Sequence, residues 1–283
     1  MVVYLKLLRV KHYIKNILIF LPLTFSRNLT NPASLIPTLI GALSFCLLSS
    51  VIYIINDIKD LDSDRNHPDK KNRPLASGAV SMHKALYIAM AFIFLSLAVL
   101  FGGIHVNRLS IVLLMAAYFL LNLLYSFKLK HLPLWDITIL ASGFLLRVLI
   151  GGQLANVSIS GWLYMCVISM SFYLVLTKRR NELKKHSISA RAVLNAYSIE
   201  FLENHMHMFL TISIVFYSLW VLSYQDIDSK LIWTIPLVMI VSMKYNLSME
   251  KSLSEDPVEI LYSDKSLLAL VLFYALSLVF FIY

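Results

Sequence analysis

The chain has 283 residues, of which 59% are hydrophobic and only 14% charged, and its mean hydropathy is +0.73. No water-soluble domain can enclose that much apolar surface, so the composition excludes a soluble globular protein and predicts an all-α, polytopic membrane protein. The formal charge of +9 is the ordinary signature of membrane topology and of phosphate-bearing ligands, and no nucleic-acid partner is expected from it.

Nine apolar runs are predicted to cross the membrane, over residues 14–25, 35–56, 85–104, 111–127, 134–154, 162–177, 208–224, 231–243 and 266–283. Several are short for a hydrocarbon core that takes ~20 helical residues, the first most of all. That first run extends upstream through an amphipathic stretch, residues 5–13, whose lysines can snorkel. The basic start lacks a small-residue cleavage site, so no cleavable signal peptide is expected. Cys46 and Cys166 each lie inside an apolar run, with no second Cys or His at ligand spacing. They read as small core residues. With no repeat and evenly spaced runs, residues 1–283 are expected to form a single integral membrane domain.

The cationic residues give the orientation. Arg27, Arg108 and Lys230 alone fall on one side of the predicted spans, Arg147 falls within a span, and the rest of the 25 Lys and Arg fall on the other side. The positive-inside rule then places the N-terminus and the two long hydrophilic loops, 57–84 and 178–204, in the cytoplasm. Loops of that length usually carry function.

The first of these loops opens with Asn56, Asp57, Ile58, Lys59, Asp60, Leu61, Asp62, Ser63 and Asp64, directly after an apolar run. A helix ending there has its negative pole at the acids, which costs some tenths of a kcal/mol each and calls for a cation. At 100° per residue, Asp57, Asp60 and Asp64 share a sector of roughly 60°, with Asn56 at its edge and Asp62 about 140° from Asp57. Three carboxylates and an amide oxygen are hard donors that suit Mg²⁺, an ion that keeps waters and bridges to substrate phosphates. A solvated acidic turn is the plainer alternative. The bases that follow, Arg65, Lys70, Lys71 and Arg73, are what the remaining phosphoryl oxygens of a metal-bound diphosphate would need.

From Asn56 to Leu75 the sequence reads N-D-x-x-D-x-x-x-D-x-x-x-P-x-K-x-x-R-P-L, which resembles the first motif of the UbiA superfamily of intramembrane prenyltransferases. Residues 9–16 (RVKHYIKN), Tyr125 to Lys130 with Asp136, 143–147 (GFLLR), 178–183 (KRRNEL) and 255–259 (EDPVE) are similar to one branch of it, the decaprenyl-phosphate phosphoribosyltransferases. The resemblance implies a nine-helix UbiA-like bundle and Mg²⁺ as cofactor. It also implies a metal set of Asn56, Asp57, Asp60 and Asp64, with Asp57, Asp60, Lys70 and Arg73 catalytic. The substrate contacts it implies are Lys15, Asn16, Tyr125, Lys130, Asp136, Arg147, Lys178, Arg179 and Glu182. His67 could serve as a base or simply pack the loop.

One departure from the wider superfamily carries information. Ordinary members have a second Asp-rich motif after the sixth span, for a second Mg²⁺ on a prenyl diphosphate. Here that loop opens Lys178, Arg179, Arg180, Asn181, Glu182, and no Asp occurs between Asp136 and Asp226. A basic patch in place of a metal site suits a donor with an extra phosphate. Arg180, Lys184 and Lys185 are equally explained as topogenic charges. Arg147 costs at least ~2.5 kcal/mol in a span unless paired, so it either meets a phosphate or is paired with a buried carboxylate or carbonyl.

The function implied is Mg²⁺-dependent transfer of 5-phosphoribose from phosphoribosyl diphosphate to a polyprenyl phosphate, for an envelope glycan precursor. It would take place in the inner (cytoplasmic) membrane, with the site facing the cytoplasm. Two alternatives stand beside it: transfer of a prenyl group to an aromatic acceptor, and a transporter with an acidic cation site.

Overall fold

The computed structural model describes residues 2–67, 70–185, 192–223, 230–251 and 256–283, and every regular element among them is helical. Pro68 and Asp69 of the first motif, Tyr224 at the end of the seventh predicted span, and Glu255 lie outside the described residues. Among the described residues eight helices are long and apolar enough to cross a membrane: Pro32–Lys59, Met82–Gly103, Arg108–Phe127, Trp135–Ala155, Gly161–Lys185, Ile199–Ser223, Lys230–Lys251 and Lys265–Ile282.

The first predicted span takes a different form. Val10–Phe20 is a 3₁₀-helix of 11 residues, followed by the short α-helix Leu21–Phe25. Rising about 2.0 Å per residue instead of 1.5, the 3₁₀ stretch covers more length than an α-helix of the same number of residues. Eight of the nine expected spans coincide with these long apolar helices, and the first, residues 14–25, lies in this mixed segment.

The chain divides into two compact units. Met1–Leu129 with Leu146–Ser158 form one, and Lys130–Leu145 with Ile159–Tyr283 form the other. In the first unit, Pro32–Lys59 begins at Asn31, whose side chain accepts from the Ala33 amide at 3.1 Å, with Pro32 supplying a preset φ at the first turn. It packs on Met82–Gly103 through Ser44 and Ser96. Each hydroxyl donates to the other's carbonyl, at 2.8 and 2.9 Å. Small side chains that satisfy their own polar groups let two membrane helices approach closely. Gly151 does the same for the 3₁₀ segment, because a Cβ there would lie 2.0 Å from the Ile19 carbonyl oxygen. Ile19, Phe45, Ile111, Ile150 and Leu154 form the core at that level. Leu7, Val51, Ile54, Leu75 and Val80 form the core beneath the first loop.

In the second unit, Gly161–Lys185 and Ile199–Ser223 pack around Tyr173, Leu176, Leu202 and Met206, with Phe172 stacked on Phe209 at 4.8 Å. The former helix does not stop at residue 177, where its apolar run ends. It continues two turns through Lys178, Arg179, Arg180, Asn181 and Glu182 to Lys185. Lys, Arg and Glu are good helix formers, and basic side chains at a helix C-terminus oppose its dipole. The basic stretch expected to open a loop is therefore helical.

Candidate active site

Backbone bonding in the first unit carries the acidic stretch past the end of its helix. Asp60 N–H donates to the Asn56 carbonyl at 2.9 Å and Asp64 N–H to that of Asp60 at 2.8 Å. The chain bends at Asp60 (φ −91°, ψ 7°) into the short helix Leu61–Arg65. Helical spacing survives the bend, so Asp57 and Asp64 come together on the inward side and both are buried, while the Asp62 side chain is 96% exposed and lies 3.8 Å from Arg65.

Two guanidinium groups meet those carboxylates. Arg73 Nη1 donates to Asp57 Oδ1 at 3.1 Å and to Asp64 Oδ2 at 2.6 Å, and Arg9 Nη2 donates to the same Asp57 oxygen. The cation that the helix pole demands is thus supplied twice. Arg73 is placed by the turn Lys70–Asn72, where its amide donates to the Lys70 carbonyl at 2.9 Å, and by Leu75 and Val80, which anchor the loop in the core. His67 accepts from the Lys70 amide at 3.4 Å through Nδ1 within this turn. Lys15, Lys70 and Tyr125 are half-buried.

Asp60 does not join Asp57 and Asp64. It accepts from Asn56 Nδ2 at 3.2 Å, and Asn56 Oδ1 accepts from Ser126 at 3.1 Å. Among the described residues no three His, Cys, Asp or Glu side chains are grouped to hold a metal ion. Of the expected four donors, Asn56 and Asp60, one turn apart, are hydrogen-bonded to each other, and Asp57 and Asp64 share Arg73. Asp57 and Asp64 nevertheless fit a hard divalent cation. Both are buried oxygen donors, and one positively charged nitrogen of Arg73 already bridges them.

Deeper in the same unit, Arg147 donates from Nε to Asn16 Oδ1 at 2.9 Å and from Nη2 to the Tyr118 hydroxyl at 2.8 Å. Its guanidinium lies over the Phe45 and Tyr118 rings, at 5.2 and 4.9 Å. Asn16 is held in turn by Nδ2 donating to Cys46 Sγ at 3.1 Å. Amide oxygen, phenol and aromatic faces thus supply what a buried guanidinium requires. Within the protein, Arg147 is thus paired with an amide oxygen and a hydroxyl.

The second unit holds a separate charged cluster. Arg179 and Asp136 are both fully buried, with Nε and Oδ2 2.7 Å apart, and Arg179 Nη1 donates to Glu182 at 2.5 Å. The Tyr197 hydroxyl donates to Asp136 Oδ1 at 2.6 Å and accepts from the Leu134 amide at 2.6 Å. Burial, and after it this bond to a carboxylate, push the Tyr197 phenol up to about 12. Lys178 sits 4.0 Å from Glu182 with its side chain still 31% exposed. Lys130 is buried. Arg180 lies apart, donating to Glu203 at 2.8 Å and Glu250 at 3.1 Å across three helices.

Sequence reading missed Arg9 as a partner of Asp57, and Tyr197 altogether. The signal for Arg9 was the unmet demand for a cation at the helix pole. A lone tyrosine 61 residues from Asp136 gave none.

Apolar helices with charged clusters at or near their ends define an integral membrane protein. The sequence profile of the UbiA prenyltransferase family matches residues 19–257. The chain belongs to that family and is a multi-pass membrane transferase. It is 30% identical, over 99% of its length and 86% of the relative's, to a decaprenyl-phosphate phosphoribosyltransferase of Corynebacterium glutamicum. It is also 30% identical to the enzyme of the same name from Mycolicibacterium smegmatis, over 81% of this chain and 74% of that one. The fold is that of a UbiA homologue from Archaeoglobus fulgidus solved with DMAPP and Mg²⁺, with a TM-score of 0.73, 20% identity and 98% of both chains covered.

Proposed function

We propose that the protein transfers 5-phosphoribose from phosphoribosyl diphosphate to a polyprenyl phosphate, releasing diphosphate, as a step toward an envelope glycan. The observation that carries this reading is the asymmetry between the two charged clusters. The acids of the first unit form a carboxylate pair suited to a metal. The stretch after the sixth predicted span carries Lys178, Arg179 and Arg180, with no Asp between Asp136 and Asp226. The names of the two bacterial relatives support the same substrates.

When bound, Mg²⁺ would neutralise the diphosphate and act as a Lewis acid toward it. Asp57 and Asp64 would hold it, with Asn56 and Asp60 beside them. Lys70 and Arg73 would stabilise negative charge on the leaving diphosphate. Lys15, Tyr125, Lys130 and Lys178 would hold substrate phosphates, while Asn16 fixes Arg147, and Asp136 and Glu182 fix Arg179. The bond from the anomeric carbon to the diphosphate oxygen breaks with its electron pair. The lipid phosphate oxygen forms the new bond from the opposite face. That oxygen is already anionic at neutral pH, so no general base is assigned. Residues 1–283 would act as one catalytic domain in the inner membrane with the site on the cytoplasmic side, in line with the distribution of Lys and Arg.

The test is a reaction of purified protein with phosphoribosyl diphosphate labelled in the ribose, a polyprenyl phosphate and Mg²⁺. Label is expected in the lipid phase, with diphosphate released. Label confined to the aqueous phase, together with consumption of a prenyl diphosphate by an aromatic acceptor, would establish the alternative. Membership of a transferase family speaks against ion transport.

A further inference from the structure

We infer that Arg180 is a positioning residue of the transferase: paired with Glu203 and Glu250, it fixes the rotation of residues 178–185 and so aims Lys178 at a donor phosphate. This rests on the proposed reading of Lys178 as a substrate contact.

Past Thr177 the helix Gly161–Lys185 leaves its apolar run, and Leu183 is the one apolar residue among the eight that follow. The apolar packing that seats the rest of the helix is largely missing there, so polar contacts have to hold this extension. They come from two directions. Arg179 enters the enclosure of Asp136 and Glu182. Arg180, about 100° further round the helix, is buried and donates from Nε to Glu203 at 2.8 Å and from Nη2 to Glu250 at 3.1 Å. Glu203 belongs to the helix Ile199–Ser223 and Glu250 to Thr234–Lys251, so one guanidinium ties three helices together. Lys184, one turn after Arg180, adds a bond to Glu203 at 3.2 Å.

A charge that only sets topology needs no partner and stays hydrated. Arg180 is enclosed, and it meets a specific demand: Glu250 lies in the last turn of its helix, where the negative pole disfavours a carboxylate. An extension held on one side alone can rock about that contact, whereas contacts about 100° apart fix its rotation. The same arithmetic puts Lys178 about 160° from Arg180, on the opposite face, with Glu182 about 40° from it. Lys178 accordingly lies 4.0 Å from Glu182, with its side chain partly exposed. The clamp grips one face of the rod and leaves the other to present an ammonium. Arg180 thus acts on the reaction through the direction in which Lys178 points.

A kinetic double-mutant cycle tests this on purified wild type, Arg180→Gln, Lys178→Gln and the double variant, with labelled phosphoribosyl diphosphate and a polyprenyl phosphate. Arg180→Gln is expected to raise KM for the donor about three- to tenfold, with kcat and KM for the lipid within about twofold of wild type. In the Lys178→Gln background the same change should add less than about twofold, since nothing is left to aim. Losses that multiply, an unchanged donor KM, or a fall in kcat alone would each overturn the inference, because a brace that only stabilises the fold does not act through Lys178. If Arg180→Gln does not fold, Arg180→Lys takes its place in the cycle under the same criteria: it keeps the charge but offers one nitrogen to two carboxylates. A wild type that moves no label from phosphoribosyl diphosphate into the lipid refutes the proposed function, and this inference with it. Transfer by wild type together with a failed cycle refutes the inference alone.

Discussion

Asp57 and Asp64, seven residues apart, meet on a single nitrogen of Arg73, at 3.1 and 2.6 Å. The same stretch turns Asp62 outward. Asp57→Asn should therefore lower turnover by about 10²-fold or more, as expected when the cation that would stabilise the leaving charge loses one of its ligands. Asp62→Asn should stay within about twofold, as surface changes do. Initial rates on the two purified variants check this, and equal losses would refute the two-sided arrangement.

Arg179 tests structure against binding in the second unit. Its guanidinium is fully enclosed by Asp136 and Glu182. Removing one partner of a buried ion pair leaves an uncompensated charge, so Arg179→Met should cost about 3–5 kcal/mol of stability. The double variant Asp136→Leu with Arg179→Met should recover part of that loss. Denaturation in detergent measures both. A variant that melts with wild type and loses only phosphate affinity would assign Arg179 to the substrate.

Tyr197 gives a pH signature. Its phenol, pushed up to about 12 in the folded protein, ionises near 10 in an unfolded chain. The raised value means that its contribution to stability is complete below about pH 10 and is lost as pH rises toward 12. Tyr197→Phe should abolish that alkaline component of the melting profile, and an unchanged profile would show that another group controls it.

Gly151 probes the 3₁₀ segment. Because a Cβ at this position would lie 2.0 Å from a backbone oxygen that cannot rotate away, Gly151→Ala should cost about 1–3 kcal/mol or more. Gly161→Ala, where a Cβ meets nothing within 4 Å, is the control. Matching thermal melts for the two would show that residues 10–20 give way at no cost.

What could be read from the sequence was what depends on neighbours along the chain. Composition gave the membrane class, and 100° arithmetic placed Asp57 and Asp64 on one face and Asp62 on another, because the backbone keeps its i→i+4 bonds through Asp60. What could not be read depends on contacts between distant segments. Arg9 completes Asp57 from 48 residues away, and Tyr197 completes Asp136 from 61 residues away. Helical spacing also could not show that Asp60 would accept a bond from Asn56, since that contact is made by side-chain pairing and not by the direction of the turn. The 3₁₀ form of residues 10–20 leaves no mark in hydropathy, which records how apolar a run is and not how far it rises per residue.

The continuation of Gly161–Lys185 beyond its apolar run alters how much length variation that region can bear. Cationic stretches in loops usually accept insertions and deletions, since their charges can shift along the chain with little loss. Here Lys178 and Arg179 are fixed about 100° apart on one rod, the first partly open and the second fully enclosed. One residue added between Thr177 and Lys178 would swing every following side chain by that angle, carrying Arg179 out of its enclosure and another residue into it. The spacing from the apolar run to Glu182 should therefore be as unyielding as the core itself.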